Sequence, residues 1–169
     1  MGLMVKATAA AVILTMIAAF AGGCGSIKSE MIVGTDIKIE DITEFYYTDS
    51  ATTNPPRFQR YYFHVEDGIY LFTHEKREGE NVFSSDDSIT VTGTLELGEE
   101  EWTELFGFLS GGTVTKRGEN TNTGAAKAMF LYWNGDKGER QEFSFNSSEK
   151  RAAFEAFCIE LKERQMSQK

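Results

Sequence analysis

Side chains able to do chemistry are few in this sequence, and their spacing keeps them apart. Its two histidines, His64 and His74, flank Asp67-Gly68, a dipeptide that favours the type I′ turn closing a two-residue hairpin. Partners across such a loop have residue numbers adding to 135. His64 therefore shares a face with Tyr62, Glu66, Ile69, Leu71 and Thr73, and His74 shares the other with Tyr61, Phe63, Val65, Tyr70 and Phe72. The second set is the more apolar and predicts the core face. Two imidazoles on opposite faces of a hairpin cannot readily share one ion, and no Cys or His spacing suggests zinc. No metal or cofactor is expected. Cys158 lies in an apolar stripe with Phe154, Phe157 and Leu161, where an unactivated thiol packs and does not attack.

Other chemical signals dissolve in the same way. Gly107-Phe108-Leu109-Ser110-Gly111 places its serine one position too late for G-x-S-x-G and at a helix end. Gly111-Gly112 follows a helix, whereas a phosphate cradle precedes one. Glu96, Glu99, Glu100, Glu101 and Glu104 suit the positive end of a helix and lack calcium-loop spacing; Asp86-Asp87 is a loop pair. The aromatics have more to offer. Tyr46, Tyr47, Tyr61, Tyr62, Tyr70, Tyr132 and Trp133 fall on expected strands, where period two must send some outward. Outward rings can anchor a peptide or a sugar, and Tyr62 and Tyr132 are the candidate ligand-facing aromatics.

The elements that must carry these residues follow from pattern. Ile37 to Tyr47 predicts a first strand, and Asn54-Pro55-Pro56 breaks regular structure. The hairpin 58–66 and 69–78 comes next, then Ile89 to Leu97, whose alternation is that of a half-buried strand. Trp102, Leu105, Phe106 and Leu109 recur at helical spacing, with acids at the start and Gly111-Gly112 as a stop. Thr113 to Arg117 suits a short strand, 118–126 a loop, and 127–133 with 140–145 a second hairpin. Asn146 with Glu149 resembles a capping box before a final amphipathic helix. The expected fold is α+β: an antiparallel sheet of about five to seven strands with two amphipathic helices packed over one face.

Ahead of this domain stands a leader. Lys6 and the α-amino group precede Ala7 to Ala21, a run of small and apolar residues interrupted only by Thr8 and Thr15, the pattern of a signal peptide. As a helix those residues would span about 22 Å, short of the roughly 30 Å hydrocarbon core. Ala21-Gly22-Gly23-Cys24 then resembles the lipobox of bacterial lipoproteins, with Ala21 where that family usually has Leu. The resemblance implies cleavage after Gly23 and a diacylglyceryl group on the Cys24 sulfur. Ala19-Phe20-Ala21 offers a second cut, releasing a soluble chain that begins at Gly22. Acyl chains would make a durable anchor, each buried CH₂ contributing about 0.8 kcal/mol. The expected organisation is a signal peptide (1–23), a lipidated cysteine and spacer (24–36), a single α+β domain (37–165) and a C-terminal tail (166–169).

Composition narrows the function classes. Leu, Ile, Val and Phe make up about 23% of the 169 residues, above the roughly 20% below which disorder is the default. Seventeen basic against 26 acidic side chains give a formal charge of −9; this argues against nucleic acid, whose phosphates need clustered Lys and Arg. An acidic surface would also be repelled by anionic lipid, so membrane contact is expected through the lipid anchor alone. These readings converge on a non-enzymatic, lipid-anchored module on the extracytoplasmic face of the cell membrane, with a protein or carbohydrate ligand. An envelope or polymer hydrolase using carboxylates brought together by folding, and an inhibitor or structural partner of another envelope protein, are the alternatives.

Overall fold

A computed structural model of the protein describes residues 30–51, 57–77, 89–116, 127–134 and 141–168. Eight strands and two helices follow in the order β1 (Glu30–Ile32), β2 (Ile42–Ala51), β3 (Arg57–Glu66), β4 (Ile69–Arg77), β5 (Ile89–Leu97), α1 (Glu99–Leu109), β6 (Thr113–Lys116), β7 (Lys127–Trp133), β8 (Gln141–Ser144) and α2 (Ser148–Ser167). The strands form one antiparallel sheet in the order β1-β6-β8-β7-β2-β3-β4-β5. The fold is therefore α+β as expected, with one strand more among the described residues than the five to seven anticipated, because the short β1, in the expected spacer, adds to one edge beyond β6.

Local chemistry explains the turns and helix ends. Asp67 and Gly68 have φ of 51° and 80°, the two positive values that a type I′ turn requires. Every partner in the β3–β4 pairing, from Phe58↔Arg77 to Glu66↔Ile69, obeys the predicted sum. Helix α1 begins where the Glu101 carboxylate accepts the Gly98 N–H at 2.8 Å. It ends at Gly111, whose φ of +81° suits a residue without Cβ. Helix α2 is capped by Ser147, whose hydroxyl accepts the Lys150 N–H at 3.1 Å. The cap is thus one position later than Asn146; the Asn146 amide lies against Gly111 instead.

Period-two alternation sends Phe45, Tyr47, Tyr61, Phe63, Phe72, Leu95, Leu97, Met129, Leu131 and Phe143 to one buried side of the sheet. Both helices close over that side. Phe154 of α2 makes edge-to-face contact with Phe45 at 5.5 Å, Phe157 stacks on Phe63 at 6.2 Å, and Trp102 of α1 stacks on Tyr70 at 4.6 Å. Each such pair adds about 0.5–1.5 kcal/mol beyond the area it buries. The Arg164 guanidinium of α2 pairs with Glu101 of α1, holding the helices side by side.

The ends of the domain depart from expectation. Residues 30–36, anticipated as spacer, are folded: β1 pairs with β6, Val33 and Ile37 bridge each other, and both are buried. Gly111 N–H donates to the Val33 carbonyl at 2.8 Å, and Val33 N–H to the Gly112 carbonyl at 3.0 Å, so the entry segment is bonded to the end of α1. At the other end α2 continues through Ser167, two residues into the anticipated tail. Among the described residues no helix is long and apolar enough to cross a membrane.

Candidate functional site

Gly23 and Cys24, the cleavage and lipidation residues of the leader, lie outside the described residues, as does Asp86-Asp87. The remaining candidates can be placed. The two histidines stand on opposite faces, His64 opposite Leu71 and His74 opposite Tyr61. His74 is 1% exposed. Its Nε2 lies 3.0 Å from the Gln59 carboxamide oxygen, which also accepts the Lys162 ammonium at 3.1 Å. Burial, and then the ammonium groups of Lys162 and Lys76, push its pKa down to about 4. A neutral, enclosed imidazole beside two cations is a structural group, and it joins β3, β4 and α2. Burial likewise raises the Cys158 thiol well above its ordinary value, so it carries little thiolate.

The glutamate run does not assemble into a catalytic pair. Glu101 is committed to Gly98 and Arg164. Burial raises its carboxyl, but these bonds outweigh burial and hold it below the ordinary value. Glu155, which no local pattern singles out, does more. Its Oε1 accepts the Tyr47 hydroxyl at 3.0 Å, the Lys127 ammonium at 2.8 Å and the Arg151 guanidinium at 3.1 Å, tying α2 to β2 and β7. Among the described residues, no three His, Cys, Asp or Glu side chains are grouped to hold a metal ion. A depression of about 420 Å³ opens where β7 and β8 meet the start of α2, lined by Lys127, Met129, Glu142, Phe143, Asn146 and Arg151 among others. Both of its cations are already bonded to Glu155.

The face of the sheet turned away from the helices is where the aromatic candidates lie. Strand register sets them in rows. Glu142, Phe130, Tyr46, Tyr62, Thr73 and Thr94 follow one another across β8, β7, β2, β3, β4 and β5; beside them run Tyr132, Glu44, His64, Leu71 and Glu96. Tyr46 stacks on Tyr62 with centroids 4.4 Å apart, Tyr62 stacks on His64 at 4.2 Å, and Tyr132 meets Tyr46 edge-to-face at 6.0 Å. Tyr46 donates its hydroxyl to Glu44 at 2.8 Å. Tyr62 therefore has a ring on each side. What it offers a ligand is an edge and a hydroxyl, whereas Tyr132 meets Tyr46 edge-to-face.

Electrostatics divide this face. Arg60 and Arg77 lie toward one end, both against the Phe58 ring at 5.4 and 4.7 Å, with Arg60 also 3.6 Å from Glu75. Glu44, Glu66 and Glu96 lie toward the other, Glu66 with a side chain 71% exposed, while Glu142 lies in the middle row with Tyr46 and Tyr62. Burial holds the His64 imidazole below its ordinary pKa against the opposite pull of Glu66 and Glu44, and burial raises the phenols of Tyr46 and Tyr62. The face thus presents neutral rings set among carboxylates. Compared with protein families, characterised proteins and solved structures, the chain matches none of them.

Proposed function

We propose that the protein is a lipid-anchored extracytoplasmic binding module, tethered through acylated Cys24 after removal of residues 1–23, whose helix-free sheet face engages a protein ligand. One observation carries the reading: a row of half-buried rings and polar groups runs across the sheet on the side that both helices leave uncovered among the described residues. Ring faces in that row are turned toward one another, so a sugar would find no open face of Tyr62 to stack on. Edges, hydroxyls and carboxylates suit hydrogen bonding to a protein surface.

The tether shapes how such a module would work. Five residues separate Cys24 from Glu30, a covalent reach of about 20 Å at most. A domain on so short a lead stays close to the headgroups, and its partners would be membrane proteins or components of the adjoining envelope. The test uses a photo-crosslinking residue at Tyr132, with a control at Ala156 on the exposed side of α2. We expect a discrete adduct from position 132 and none from 156, and detergent-phase partitioning abolished by Cys24→Ala. Equal adducts from both positions, or none from 132, would refute the binding face. A wild-type chain recovered in the aqueous phase and beginning at Gly22 would refute the anchor.

A further inference from the structure

We infer that the second half of α2, residues 159–167, is a latch that acid releases from the sheet while the first half stays docked. The two halves are held by different chemistry. Phe154 and Phe157 fasten the first half, packing on Phe45 and Phe63 of the sheet and on Phe108 of α1. Beyond Cys158 the buried residues of the helix are Leu161 and Gln165, while Ile159 and Met166 are turned outward, 52% and 58% exposed. What docks this half is mainly polar. The Lys162 ammonium reaches Gln59 of β3, the Gln165 side chain lies against Gly93 of β5, and the Arg164 guanidinium pairs with Glu101 of α1.

Acid acts on two of these three attachments. The Gln59 carboxamide oxygen lies 3.1 Å from the Lys162 ammonium, 3.0 Å from His74 Nε2 and 3.4 Å from the Tyr61 hydroxyl. The imidazole and the ammonium are therefore no more than about 6 Å apart, with a neutral amide between them, so a proton on His74 sets two like charges against each other. The other groups facing the imidazole do not relieve this. Lys76, on the same strand, is cationic; the Tyr61 phenol of β3, pushed up to about 12 by burial, stays neutral; Gly93, opposite on β5, has no side chain. Glu75, the next residue, is engaged with Arg60. Withdrawing Lys162 removes the repulsion, and its half of the helix has little apolar burial to hold it back. At the second attachment, a protonated Glu101 no longer attracts Arg164.

His74 is held at about 4 while the latch is docked and returns to the ordinary 6.5 once it leaves. Between those limits the released state binds the extra proton, so release becomes about tenfold more favourable per unit fall in pH, about a hundredfold from pH 7 to 4. Glu101, ordinarily at 4.5, adds no more than about fourfold at pH 4. The test is hydrogen exchange of the detergent-solubilised full chain, read along α2 at pH 7, 5 and 4 with and without about 1 M urea, and expressed as protection. Amides of the second half should be less protected than those of the first and insensitive to urea, because a short segment exposes little surface when it opens. Their protection should fall at least about a hundredfold from pH 7 to 4 in the wild type and no more than about fourfold in His74→Gln. Lys162→Gln, which keeps the imidazole and removes the ammonium beside it, should fall between the two. Exchange of both halves together, with the same urea dependence, would mean that α2 leaves the sheet only in global unfolding, and would overturn the latch. So would the same fall in Lys162→Gln as in the wild type, a comparison that stands even if His74→Gln does not fold.

Discussion

Lowering the pH from 7 to 4 should cost the fold about 3 kcal/mol through one side chain, His74. The ring is 1% exposed, donates to Gln59, shares that acceptor with Lys162, and is held at a pKa of about 4 against an ordinary 6.5. In the unfolded chain it takes up a proton near 6.5, while the native state stays neutral until about 4. Between those limits the unfolded state binds the extra proton, so stability falls with falling pH at about 1.4 kcal/mol per pH unit and levels off below 4. The whole interval comes to about 3 kcal/mol, a large share of the roughly 5–15 kcal/mol typical of a domain.

His74→Gln isolates the effect, because an amide can donate to Gln59 but takes up no proton in this range. His64, also held below its ordinary value, and the carboxylates Glu101 and Glu155 remain in both proteins and cancel in the difference. Urea unfolding at pH 7, 6, 5 and 4 gives the two stability curves. The wild-type advantage over the variant should shrink by about 3 kcal/mol across the series, whatever its value at pH 7. Parallel curves would mean that His74 titrates normally inside the fold, and would refute the account of a sealed imidazole beside two ammonium groups.

Two further perturbations probe the packing around the helices. Gly112→Ala would bring a Cβ into collision with two ring carbons of Phe143 and to 2.9 Å from the Leu109 carbonyl oxygen. Phe143 is itself buried and has little room to give, so thermal or urea unfolding should show a loss of about 3 kcal/mol, the upper end for overpacking; a change within about 0.5 kcal/mol would contradict the close approach. Glu155→Ala removes the acceptor shared by Tyr47, Lys127 and Arg151 and should cost about 1–2 kcal/mol at neutral pH. Burial raises that carboxyl, but its three partners bring it below the ordinary 4.5. The contribution is therefore present above 4.5 and lost as pH falls through the lowered value, and the difference between wild type and variant should narrow in that acid range.

What sequence could and could not reveal follows from the range of each interaction. Asp67-Gly68 determines the β3–β4 register because two residues of positive φ force the strand ends together. The stripe of Trp102, Leu105 and Leu109 and the glycine stop at Gly111 are equally local. The placing of β8 between β6 and β7 is not local, and neither is the addition of β1 beyond β6; each rests on contacts between segments far apart in the chain. Val33 and Ile37 show the difference most clearly. They flank a turn at 34–36 and share no continuous strand, yet both are buried because β1 brings them to the end of α1. Asn146, Ser147 and Ser148 can all cap a helix; Ser147 takes the position, while the Asn146 amide lies against Gly111.

The same distinction explains why the candidate site was only half visible. Strands β2 and β3 are aromatic on both sides: Tyr46 and Tyr62 on the open face alternate with Tyr47 and Tyr61 on the core face. Hydrophobicity alone could not assign those two pairs. The charged and polar neighbours decide it, since Glu44, Thr48, Arg60, His64 and Glu66 alternate in step with Tyr46 and Tyr62, whereas Phe45 and Phe63 alternate with Tyr47 and Tyr61. Outward placement of Tyr62 was thus readable from the hairpin. Its enclosure between Tyr46 and His64 was not, because the first contact crosses strands and the second depends on ring orientation. That enclosure shifts the expected ligand from one gripped by open ring faces to one met by ring edges, hydroxyls and carboxylates. It also gives the tyrosines a packing role, so that truncating Tyr62 would disturb the whole row.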